Sequence, residues 1–152
     1  MSYQVWSTDG YGFCVDHIHT SPCRVMALAT TNPKTLKYVH EYLDEHMEEE
    51  HGIADWKVDD LQMSDFNDLY DDSGCARGIS CILSDVIKYP VTVVDNFEGE
   101  QYILLEPHYP WFVPDELKGV TEEEVKAEFQ RCISMLTDED IFIYYQSVPN
   151  GG

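Results

Sequence analysis

Positive charge is what this chain has least of. Its 152 residues hold nine Lys and Arg against 29 Asp and Glu, a formal net charge of −20. Direct binding of nucleic acid needs a basic footprint, so that function class is excluded, and anionic membrane surfaces are disfavoured for the same reason. Long apolar runs are also missing. No stretch approaches the roughly 20 apolar residues that a membrane span requires. The opening MSYQVWSTDGYGF has neither a basic segment nor an apolar run, so it does not read as a signal peptide. Cysteine is sparse and odd in number, five residues without a compact framework spacing. A reduced cytoplasmic protein with buried thiols is the expectation. Repeats, low-complexity tracts and linkers are absent, so residues 1–152 are expected to form one domain, large enough to bury roughly 70% of the unfolded surface.

What the chain does have is acidity concentrated in one place. From Glu41 to Asp72 there are thirteen carboxylates against a single Lys57, a balance of −12 out of the total −20. Apolar and aromatic residues such as Leu43, Met47, Trp56, Phe66 and Tyr70 are threaded through the stretch. It therefore has the means to fold against a core, which disordered acidic tails lack.

Taken in order, Tyr3 to Ser7 and Phe13 to Ile18 alternate as strands around Asp9-Gly10-Tyr11-Gly12, which reads as a turn and predicts an N-terminal hairpin. Ser21-Pro22 and Asn32-Pro33 each pair an N-cap with a proline at the first helical position, predicting helices to about Ala29 and about Glu49. On the second, Leu36, Val39, Leu43 and Met47 form an apolar stripe. Short helical turns are expected over Trp56–Leu61 and Ser64–Leu69, with Ser64 as a cap. A buried helix follows from about Ala76 to Lys88. Val91–Asp95 and Gln101–Glu106 flank a turn and predict a β-hairpin. Pro107 to Pro114 reads as a stiff loop. Thr121 with Glu124 is a capping box for a helix to about Leu136. Ile141–Ser147 is a last strand before a loose tail. The fold class is α+β: a mostly antiparallel sheet of about five strands in ββ-α-α-α-ββ-α-β order, with helices on one face.

No catalytic signature stands out, and no cofactor motif. Cys14, His17, His19 and Cys23 lie within ten residues and are the right ligand types for zinc. Their spacing fits no structural zinc pattern, and an extended strand would put Cys14 on the face opposite His17 and His19. His40, His46 and His51 do not stand four apart, so they do not share a helical face as zinc-protease histidines do. Asp65 to Gly74 is rich in oxygen ligands but fails the calcium-loop spacing. Cys75 and Cys81 read as structural thiols.

The charge is the remaining lead. Glu41, Asp44, Glu45, Glu48 and Glu49 crowd the end of a helix, where the macrodipole disfavours anions and each like-charged i, i+4 pair costs roughly 0.2–0.5 kcal/mol. A local rule broken without local compensation marks a functional constraint. In size, charge and fold class the chain resembles the small acidic inhibitors that mobile elements direct against restriction and CRISPR nucleases, and the acidic immunity proteins of nuclease toxins. That likeness implies a non-enzymatic protein that mimics nucleic acid and occludes the basic site of a nucleic-acid-handling protein. The expected contact comprises those five residues with Asp55, Asp59, Asp60, Asp65, Asp68, Asp71 and Asp72, and Trp56, Phe66 and Tyr70 as anchors. The alternatives are a metal-binding protein or enzyme using Cys14, His17, His19 and Cys23, and a structural domain whose acidity serves solubility.

Overall fold

A computed structural model describes residues 6–69, 77–105 and 117–151. The elements run β1 (Trp6–Cys14), α1 (Pro22–Thr30), α2 (Pro33–His51), α3 (Ile79–Val86), β2 (Val91–Asp95), β3 (Gln101–Leu105), α4 (Glu122–Leu136) and β4 (Tyr144–Gly151). Short 3-10 turns lie at Val15–His17, Val58–Asp60 and Met63–Phe66. The chain is α+β, with one antiparallel sheet in the order β2-β3-β1-β4. Four strands are found among the described residues, not five, because the expected N-terminal hairpin is a single strand. Asp9-Gly10-Tyr11-Gly12 runs straight through the middle of β1, pairing with both β3 and β4. Glycine is needed at position 12 for close approach, not for a turn: a Cβ there would lie 1.8 Å from the carbonyl oxygen of Ile103. The last strand is also displaced. It starts at Tyr144 and continues through Pro149 to Gly151, in the stretch expected to be a loose tail. Pro149 is tolerated because β4 is an edge strand.

The starts of α1, α2 and α4 follow their sequence signals, whereas α3 begins only at Ile79, later than the expected Ala76, because Gly78 before it takes a left-handed φ of 59°. Asn32 Oδ1 accepts the amides of Lys34 and Thr35, and Thr121 and Glu124 exchange the two bonds of a capping box. All four helices share one core with Tyr11 and Phe13 of β1 and Ile103 of β3. A small cluster of Val94, Leu104 and Val148 on the opposite face of the sheet contains no helix residue. The helices therefore gather on one face, as expected. Phe129 of α4 joins the layers, edge-on to Phe13 at 5.4 Å and stacked with Tyr11 at 6.2 Å. Helix α3 ends at Val86, two residues before the expected Lys88, whose amide turns away to donate to Glu128 Oε2 at 2.9 Å. Ala76 and the Pro107–Pro114 loop lie outside the described residues. No helix among the described residues is long and apolar enough to cross a membrane.

Glu128 is a buried acid inside this frame. Both of its oxygens accept from Arg131, at 2.7 and 2.9 Å. Burial opposes its charge, but the Arg131 guanidinium and the Lys88 amide outweigh that and hold the carboxyl below the usual glutamate range. A pKa depressed by folding adds stability that is complete above the unfolded value of about 4.3. That stability is lost as pH falls through the folded value. Glu128→Gln should therefore cost roughly 1–3 kcal/mol at neutral pH. The deficit should shrink as the pH is lowered from about 5. Urea midpoints of both proteins at pH 7 and pH 3 check this; an equal gap at the two pH values would refute it.

Candidate functional site

The geometry of the acidic stretch begins with α2. At about 100° per residue, Glu41, Asp44, Glu45, Glu48 and Glu49 fall within an arc of about 140°. All five are exposed, and the buried Val39, Leu43 and Met47 lie on the opposite side. Among the described residues, a single cation pairs with this face: Lys37, 4.0 Å from Glu41, with both side chains largely exposed. Such a pair is worth little.

Gly52 then reverses the chain. Its φ of 67° is left-handed, and the amides of Gly52 and Ile53 close the helix onto Glu48 and Met47 at 3.1 Å each. The returning segment is pinned to α2 by Trp56, whose Nε1 donates to Asp44 Oδ1 at 2.7 Å and whose ring lies against His40. Trp56 is half-buried in this clamp, so part of its surface is already committed within the chain. Asp55, Asp59, Asp60 and Asp68 are exposed. Asp60 also accepts the Lys57 amide at 2.8 Å, bracing the Val58–Asp60 turn.

Two members of the expected contact face inward instead. Phe66 is 1% exposed and belongs to the core, so it presents nothing to a partner. Asp65 is 3% exposed. Its Oδ2 accepts the Gln62 amide at 2.8 Å, which makes Gln62 rather than Ser64 the start of the Met63–Phe66 turn. Its Oδ1 meets His46 Nε2 at 3.1 Å and His51 Nε2 at 2.7 Å. Burial works to raise the Asp65 pKa, but the Gln62 amide and the two imidazoles hold it below the ordinary aspartate value. Tyr70, Asp71, Asp72 and Cys75 lie outside the described residues.

The Cys14, His17, His19 and Cys23 group does not form as a set. The chain leaves β1 at Cys14 and coils into the Val15–His17 turn, which swings His17 round to the side of Cys14. The third residue that joins them is Glu100, with Cys14 buried and His17 exposed. His19 instead stands 3.7 Å from Glu139, and Cys23 is exposed on α1. Burial pushes the Cys14 thiol up, partly offset by the amides of Asp16 and His17.

Sequence reasoning missed two convergences. His46 and His51 are five apart, about 140° round the helix, and local periodicity keeps them separate. They meet because a third residue comes back across the helix end. Glu100 was invisible because its approach to Cys14 depends on the β1–β3 register, Cys14 opposite Tyr102. No family model, curated protein or solved structure matches this chain.

Proposed function

We propose that this is a non-catalytic interaction protein that docks the acidic face of α2 onto a basic surface, occluding the site of a nucleic-acid-handling protein. The observation that carries the reading is the single-sided exposure of Glu41, Asp44, Glu45, Glu48 and Glu49 with one weak internal cation against them. Mutual repulsion at this helix end goes largely unrelieved within the described chain, and a cationic partner would relieve it. Charge density favours a nucleic-acid-binding partner. Glu41 to Glu49 spans about 12 Å of helix. Five charges over that length give one per about 2.4 Å, against one per roughly 1.7 Å in duplex DNA. Exposed Asp55, Asp59, Asp60 and Asp68 on the returning segment extend the acidic surface.

The test neutralises the face. Glu41→Gln, Glu45→Gln, Glu48→Gln and Glu49→Gln together should raise stability by roughly 1 kcal/mol through lost like-charge pairs, about 2–4 °C in Tm. The same variant should lose a partner that wild-type protein captures from lysate at low salt and releases as salt rises. A control changing Glu98, Glu122, Glu123 and Asp140, all exposed and off α2, should keep that partner. If both variants capture it equally well, or both lose it, the α2 face is not the docking site and the reading fails.

A further inference from the structure

We propose that His46, His51 and Asp65 form a binding site for a divalent transition metal of the zinc class, with water completing the coordination. This site is separate from the acidic docking face and does not depend on it.

Both imidazole Nε2 atoms aim at one oxygen, Asp65 Oδ1, at 3.1 and 2.7 Å, rather than one at each oxygen. The three donor atoms all lie within 4.8 Å of one another. A tetrahedral ion with ligand bonds of about 2.0–2.1 Å holds its ligand atoms about 3.3 Å apart. To reach that spacing the separations of 3.1 and 2.7 Å from Oδ1 open by about 0.2 and 0.6 Å.

The support around the ligands is of the kind metal sites need. Asp65 is 4% exposed at its side chain, and its second oxygen is held by the Gln62 amide at 2.8 Å. The His46 side chain is 16% exposed and stacked on Tyr42, which fixes its ring. His51 is different. Its side chain is 44% exposed, so an ion has a route in and a coordination position that opens to water.

The donor set selects the metal. Two imidazoles and one carboxylate suit zinc, with cobalt, nickel and copper also accommodated. Calcium and magnesium prefer all-oxygen shells and are excluded here. Bound metal would clip the Met63–Phe66 turn to the end of α2, tying together the two arms of the acidic stretch.

The experiment uses full-length protein made without a histidine tag, stripped with chelator and titrated with zinc against a colorimetric competitor. One equivalent should bind, and cobalt should give the absorption bands of a four-coordinate site. His46→Gln and His51→Gln keep an N–H for Asp65 but remove the nitrogen lone pair, so the fold, read by circular dichroism, should survive. Each should weaken binding by at least about tenfold. Cys14→Ala with His17→Ala should leave affinity unchanged. The proposal is overturned if folded wild-type protein binds no zinc, if both glutamine variants bind as tightly as wild type, or if the Cys14 and His17 changes abolish binding instead.

Discussion

Gly12→Ala is expected to leave no cooperatively folded protein at room temperature. The added Cβ would sit 1.8 Å from the Ile103 carbonyl oxygen, 2.8 Å from its carbon and 2.9 Å from Leu104 Cα. These are backbone atoms of the neighbouring strand, so no side-chain rotation relieves the overlap. β1 is an interior strand, flanked by β3 and β4, and Gln146 Nε2 also donates to the Gly12 carbonyl at 2.7 Å. Moving one residue of β1 therefore disturbs two pairings at once. Against a typical total stability of about 5–15 kcal/mol, the loss should exceed the margin. Gly10→Ala is the graded comparison. Its Cβ meets Leu104 Cβ at 2.9 Å and Leu105 O at 3.2 Å, a smaller overlap than at Gly12 that only a slight separation of the two strands relieves. Circular dichroism during urea unfolding distinguishes the two. A Gly12→Ala transition as sharp as wild type's, at a similar midpoint, would show that the β1–β3 approach is not as close as described.

Phe129→Ala should cost roughly 3–5 kcal/mol, the range for emptying a fully buried aromatic site. Phe129 is 0% exposed and contacts two aromatic rings of β1, so its loss removes packing between α4 and the sheet as well as apolar burial. Phe129→Leu retains most of the volume and should cost less than half as much. Chemical denaturation of both variants gives the comparison directly. Similar costs for alanine and leucine would mean that retained volume recovers nothing, and that the ring's own contacts with Tyr11 and Phe13 carry the loss.

The helices were the most legible part of the chain, because their signals are local. Asn32-Pro33, Ser21-Pro22 and Thr121 with Glu124 mark starts that depend on residues three or four apart, and the structure uses all three. The acidic face of α2 was legible for the same reason: a 3.6-residue period places Glu41, Glu45 and Glu49 together whatever else the chain does. The β2–β3 hairpin joins neighbours in sequence and was read correctly. β1 was not, since Asp9-Gly10-Tyr11-Gly12 has turn chemistry in isolation and only the arrival of β3 and β4 turns it into strand.

Sequence alone thus determined the class of fold, the starts of α1, α2 and α4 and the concentration of negative charge on one helix. Tertiary structure decided which acids stay outside and which go in. Asp65 sits among acids that look alike in sequence, yet it is buried because the chain, reversed at Gly52, lays it against the end of α2 beside two imidazoles. Phe66 is drawn into the core by the same reversal, and Cys14 finds Glu100 through strand register. Periodicity describes neighbours along the chain; contacts across a reversal or a sheet depend on how whole elements pack, and no short window contains that information.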